Sequence, residues 1–182
     1  MQIHLTRIYG IIAIVCYVIH STYWIVNKNP SNIFWACHLG SLLVGIGCLL
    51  KNSRVNAVGV FWLIMGNIMW GIYLLSGGKF YPTSFLTHVI GLIVGIIGIK
   101  KISIPKYSWI YAVIGIAILQ ILTRFLTVES ENVNLAFRIY DGWEHIFLDY
   151  RLYEAYLLLQ TTIVFFLSEK FLLKRKNVEI LE

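Results

Sequence analysis

Six apolar runs dominate this chain, at about residues 8–26, 33–50, 55–76, 83–99, 107–127 and 152–173. A bilayer-spanning helix needs roughly 20 mostly apolar residues. In lipid every backbone amide must be satisfied within the segment, which leaves the α-helix as the form for each run. Charged residues make up only 13% of the chain and mean hydropathy is +0.74. A soluble domain carries about 25% charged residues, so this chain lacks the charge to cover a water-facing surface. The expected fold is all-α: a polytopic membrane helix bundle of six transmembrane helices. It forms a single transmembrane domain over residues 1–182, since six spans with short loops leave no room for a second one. The first run follows MQIHLTRIYG with no A-x-A-like cleavage site, so it reads as a retained span.

The net charge of +6 does not imply nucleic acid. Basic residues sit in short clusters between spans, where they act as topology signals and contacts to anionic lipid. Arg7, Lys51, Arg54, Lys100, Lys101, Lys106, Lys170, Lys174, Arg175 and Lys176 fall on one side, against Lys28 and Lys79 in the short loops of the other. The positive-inside rule then places both termini in the cytoplasm. The chain reads as a multi-pass protein of the cell membrane with lipids as its partners. Cys16, Cys37 and Cys48 lie within apolar runs, and no CxxC or zinc spacing appears.

The connection at 128–151, VESENVNLAFRIYDGWEHIFLDYR, carries five acids and falls on the outer side. Phe137, Ile139, Trp143, Ile146 and Phe147 form an amphipathic pattern there. It predicts an interfacial loop with a short helix lying on the membrane or capping the bundle. Asn132 and Asn134 are turn formers.

Two spans resemble one another. FWACHLGSLLVGIG (34–47) and SFLTHVIGLIVGIIG (84–98) align on their histidines, so that His38, Ser41 and Gly45 match His88, Gly91 and Gly95 at an offset of 50. Positions i, i+3 and i+7 share one helical face, and small residues on such a stripe let helices approach closely in lipid. Both histidines are therefore expected to point into the bundle.

Polar groups within spans are costly and mark function or pairing. Here they gather toward the outer side: His20, Cys37, His38, Asn67, Thr87, His88, Gln120, Arg124 and Glu154, beneath the acidic loop. They suggest an outward-facing polar pocket. Histidine is a base near neutral pH, and a thiol or hydroxyl within its reach is a nucleophile. Candidate catalytic residues are Cys37, His38, His88 and Thr87. Candidate substrate-binding residues are His20, Asn67, Arg124, Asn132, Asn134 and Glu154. Arg124 and Glu154 also make sense as a plain ion pair between helices. This reading, acyl transfer or hydrolysis on a lipid or amphiphile, requires no cofactor. The alternative is a metal or haem held through His20, His38 and His88. A third option, a small transporter or partner subunit, has less support, because no span is broken at mid-membrane.

The residues Cys37–His38, Thr87–His88 and Asn132–Val133–Asn134 resemble the pattern of the YwaF-like group of small bacterial integral membrane proteins. That group is related to a eukaryotic membrane acyltransferase acting on ether phospholipids. The likeness covers residues 33 to about 165, and departs from the pattern where Val89 follows His88. It implies a cysteine–histidine acyltransferase with Cys37 as nucleophile and His88 as base.

The charge asymmetry yields a topology prediction. A fluorescent reporter fused after Glu182 should be active in the cytoplasm, and an alkaline phosphatase fused there should be inactive. The reverse outcome would invert the bundle.

Overall fold

A computed structural model of the chain describes the backbone of residues 2–179 and the side chains of residues 5–173. The cationic run at 174–176 therefore lies outside the described side chains. Among the described residues the chain is all helix and turn, with no strand. Six principal helices follow one another: α1 (Gln2–Val26), α2 (Ala36–Leu50), α3 (Ser53–Leu75), α4 (Pro82–Ile102), α5 (Ser108–Leu126) and α6 (Tyr150–Glu179). Each lies on one of the six apolar runs. Five are long and apolar enough to cross a membrane, and α2 is shorter. At 15 residues α2 is about 22 Å long, against a hydrocarbon core of about 30 Å. A 3-10 turn, Pro30–Phe34, precedes it.

The short helix is the central one. Cys37, His38, Gly40, Ser41, Val44, Gly45, Gly47 and Cys48 are all buried. Missing side chains let its neighbours approach. A Cβ on Gly40 would stand 3.0 Å from the Gly59 carbonyl of α3, and one on Gly59 would stand 2.6 Å from the Gly40 carbonyl. Gly45 and Gly10 of α1 have the same relation, at 2.9 and 2.8 Å. On the third side, a Cβ on Gly91 of α4 would meet Ser41 Oγ at 2.8 Å, and one on Gly95 would meet Val44 at 2.9 Å. The two similar spans thus pack against each other, Ser41 and Val44 facing Gly91 and Gly95, while Gly45 of the matched stripe turns to α1. Ser41 Oγ donates to the Ala13 carbonyl of α1 at 3.0 Å.

At the end of the bundle where α3 starts, two buried polar groups serve the fold. Asn56 Nδ2 donates to the Gly95 carbonyl at 3.1 Å, and its Oδ1 lies 3.4 Å from Cys48 Sγ. Glu169 of α6 accepts from Tyr107 N at 2.9 Å and Trp109 N at 3.0 Å. Its carboxylate therefore satisfies two donors at the start of α5, where the helix dipole also favours an anion.

The connection at 128–151 differs from expectation. Its helical content is two single 3-10 turns, Glu129–Glu131 and Val133–Leu135, and the stretch 137–147 is turns and bends rather than an amphipathic helix. Asn132 and Asn134 explain why. Both have left-handed backbone, with φ of 43° and 55°. Asn132 Oδ1 accepts from Phe137 N and Arg138 N, each at 3.1 Å, while Nδ2 donates to the Arg138 carbonyl. Those backbone groups are engaged in a closed loop and unavailable to an α-helix. Residues 132, 133, 135 and 136 are buried, so the loop is a plug in the end of the bundle as well as a cover.

Gly59→Leu should lower thermal stability in detergent by about 1–3 kcal/mol, as overpacking does. Gly71→Leu on the same helix, where nothing lies within 4 Å, should leave the melting temperature unchanged. Equal effects would show that close backbone approach does not hold α2.

Candidate Cys/His site

Three irregular or terminal segments meet at the plugged end. Pro30 starts the 3-10 turn whose exit at Trp35 sets the start of α2. Cys37 and His38 fall in that helix's first turn. Pro82, which lacks an N–H, starts α4, where that lack costs little. After one α-turn the helix widens into a π-turn, Leu86–Ile90, that carries Thr87 and His88. Single π-turns inside α-helices are rare and frequent at functional sites. Asn67 of α3 supports this turn: its Nδ2 donates to the His88 carbonyl at 3.0 Å and to the Leu63 carbonyl at 2.8 Å. The third segment is the C-terminal end of α1, with His20.

The histidines meet. His20 Nε2 and His38 Nε2 are 3.0 Å apart, with rings edge-to-face at 4.3 Å. The His38 and His88 rings are 5.9 Å apart and perpendicular. Cys37, His38 and His88 each offer a ligand atom, and these atoms all lie within 4.8 Å of one another. The group is enclosed: His20, Cys37, His38 and His88 are 1, 8, 5 and 4% exposed. It is a buried cluster more than an open pocket. His88 Nδ1 is buried with no hydrogen-bond partner.

Neighbours fix the rings. His38 Nδ1 lies 2.7 Å from the Asn32 carbonyl. His20 Nδ1 lies 2.8 Å from Thr83 Oγ1, and Trp24 Nε1 donates to His20 Nε2 at 3.0 Å. Trp70 stacks on His88 at 4.8 Å and 20°. Half-buried itself, it stands on the exposed side of the cluster. Trp24, Tyr23 and Tyr81 form a second aromatic wall, with ring separations of 5.1 to 5.8 Å.

Of the residues singled out in the sequence, His20, Cys37, His38 and His88 come together, and Asn67 holds the turn beneath His88. Thr87 is adjacent in the chain but its hydroxyl donates to the Ser84 carbonyl at 3.1 Å. The others hold the plug. Asn134 Oδ1 accepts from Ala36 N at 2.8 Å, capping α2, and its Nδ2 donates to the Phe34 carbonyl and to Thr123 Oγ1, both at 2.9 Å. Arg124 Nε donates to the Ala136 carbonyl at 2.7 Å, and Arg124 pairs with Glu154 at 2.7 Å. With both side chains over a third exposed, that pair adds about 0–1 kcal/mol. Gln120 Nε2 reaches the carbonyls of Asn134 and Leu135, each at 3.5 Å.

Thr83, Trp24, Asn32 and Trp70 were not among the sequence candidates. Trp24 is four residues after His20 and hence on its face, a signal that was present. Asn32 acts through its backbone carbonyl, which no side-chain pattern announces. Its side chain adds a link outward, with Nδ2 donating to Glu131 Oε2 at 3.2 Å. No known family model, characterised protein or solved structure matches the chain.

Asn134→Ala would remove the side-chain partner of Ala36 N and the Phe34 carbonyl and leave Thr123 Oγ1 only its bond to the Leu119 carbonyl. It should cost about 1–3 kcal/mol locally and speed amide exchange in residues 31–38 and 128–138. Unchanged exchange there would show that the plug is held by other contacts.

Proposed function

We propose that this multi-pass protein is an enzyme of the cell membrane that transfers or hydrolyses an acyl group on a lipid or amphiphile. Cys37 is the nucleophile and His88 the base, and the cluster lies toward the outer leaflet with both termini cytoplasmic. The observation that supports this is the meeting of a buried thiol with an imidazole whose Nδ1 has no other partner. A nucleophilic thiol needs a nearby group to take its proton. His38 cannot fill that role as readily, because its Nδ1 is engaged by Asn32 and its Nε2 faces His20.

The reaction balances simply. The Cys37 sulfur attacks the acyl carbonyl while its proton passes to His88 Nδ1. The bond to the leaving alkoxide breaks, and His88 returns the proton to that oxygen. A second hydroxyl, from water or an acceptor lipid, then attacks the thioester through the same base and frees the thiol. The surroundings are apolar, with Leu63, Val60 and Phe61 of α3 fully buried in the core. Substrate would pass Trp70, which stands between His88 and the exposed face.

A long-chain haloacetamide in mixed micelles should alkylate Cys37 in the wild type and do so about 100-fold more slowly in His88→Ala, the scale of a lost general base. Cys16 and Cys48 are also buried, so Cys37→Ala defines the background. A Cys37→Ala strain with an unchanged lipid profile, together with labelling indifferent to His88→Ala, would sink the acyl-transfer reading.

A further inference from the structure

The contact between His20 and His38 raises a question of proton count. His38 Nδ1 is 2.7 Å from the Asn32 carbonyl oxygen. A carbonyl only accepts, so Nδ1 carries the proton. A neutral imidazole has one N–H, so Nε2 of His38 presents a lone pair. The Trp24 indole nitrogen only donates, and it is 3.0 Å from His20 Nε2. When Trp24 donates to it, the His20 proton sits on Nδ1, toward Thr83 Oγ1. In the other tautomer His20 Nε2–H donates to His38 Nε2, the Thr83 hydroxyl donates to His20 Nδ1, and only the Trp24 N–H is left without its partner. In both cases the His38 Nε2 lone pair faces into the cluster, and both rings are almost wholly buried.

The surroundings are those of a metal site. Imidazoles that bind metals donate their other N–H to an oxygen, which fixes tautomer and ring plane. His38 does so to Asn32 and His20 does so to Thr83. Cys37 Sγ lies in the same group as the His38 and His88 nitrogens, all within 4.8 Å, and His88 Nδ1 is buried and unpartnered. We infer that this cluster binds a borderline d-block dication of the zinc class. Cys37 Sγ, His38 Nε2 and a ring nitrogen of His88 are its ligands, and His20 Nε2, 3.0 Å from His38 Nε2, is the fourth.

Nitrogen and sulfur donors with no carboxylate select this class over magnesium or calcium. Tetrahedral ligands at bond lengths of about 2.0–2.3 Å stand about 3.5 Å apart. The ligand atoms of Cys37, His38 and His88 lie within 4.8 Å of one another, so movements of about 1 Å gather these three, while the Trp24 N–H yields its place beside His20. Haem does not fit. Two axial imidazoles would stand about 4 Å apart, twice a metal–nitrogen bond, with a porphyrin between them. The His20–His38 gap of 3.0 Å leaves no such room.

Binding converts the Cys37 thiol and the dication into a metal thiolate and one released proton, with no change of oxidation state. The occupied site holds the sulfur that acyl transfer would use. Zinc therefore masks the nucleophile, and the acyl enzyme works only in the metal-free form. The masking rests on the thiol reading above, whereas the ion site rests on the cluster of nitrogen and sulfur donors with its unpartnered His88 nitrogen.

The test uses full-length protein in detergent, stripped with chelator and titrated with Zn2+ or Co2+ alone. One ion per chain is expected, with tetrahedral cobalt bands and a thiolate-to-cobalt charge-transfer band that disappears in Cys37→Ser. His38→Ala should weaken binding at least 100-fold. Should that variant not fold, Thr83→Val still reads, because it removes only the oxygen behind His20 and should weaken binding about 10–100-fold. Saturating Zn2+ should suppress haloacetamide labelling of Cys37 at least tenfold.

Failure to bind either ion, with Cys37 labelling intact, overturns the ion site and leaves the thiol centre standing. Stoichiometric binding with no labelling of metal-free protein supports the site and removes the acyl reading. Labelling unaffected by bound zinc overturns the masking. A cobalt spectrum unchanged in Cys37→Ser removes that residue as a ligand.

Discussion

The close approach of α2 to three neighbours at once is the constraint on which the rest of the structure depends. Lipid offers no hydrophobic gain when one helix meets another, so association rests on tight van der Waals contact and interhelical hydrogen bonds. Glycine at positions 40, 45, 59 and 10 gives the first, bringing one helix's backbone against another's carbonyls. Ser41 and Asn56 give the second, each bonding a carbonyl of a neighbouring helix. A central helix held in this way need not be long. Beyond the start of α2 the bundle is filled by the 3-10 turn and the buried segment of the loop at 128–151.

That shortness has a chemical consequence. The first amides of any helix lack partners within it, and those of α2 open inside the bundle rather than in water. Asn134 supplies one acceptor, from almost 100 residues away. The loop is thereby drawn down onto the same turn that carries Cys37 and His38. Irregular backbone is tolerated at membrane depth only where protein covers it. Here the plug covers the 3-10 turn, and Asn67 satisfies the His88 carbonyl at the π-turn. The histidines can meet because both departures from α geometry are covered at one end.

The helices could be read from residue order alone, since the length of each apolar run carries the signal. The pairing of His38 with His88 could be read too, because equal spacing to small residues put both on inward faces. The identities of the residues that orient the rings were not accessible in the same way. Thr83 is brought to His20 by the packing of α4 on α1, at a separation of 63 residues. Glu169 looks like an ordinary charge near the end of a span until α5 is placed beside it. The missing amphipathic helix in the loop is the opposite case. Its apolar spacing was adequate, but Asn132 bound the same amides more locally, and the local bond prevailed.

Two kinds of buried polar group separate on this accounting. Asn56 and Glu169 have partners, and the helices they join explain why they are there. Burying a polar group without a partner is costly. Among the described residues Ser21 Oγ, His88 Nδ1, Tyr153 OH and Gln160 Oε1 are buried without one, and of these only His88 Nδ1 belongs to a cluster that also holds a thiol and a second imidazole. The Asn32 carbonyl fixes the tautomer of that second imidazole, so that His38 Nε2 presents a lone pair to the cluster. A carbonyl carbon and a cation are both electron-poor, and a sulfur and an imidazole lone pair suit either.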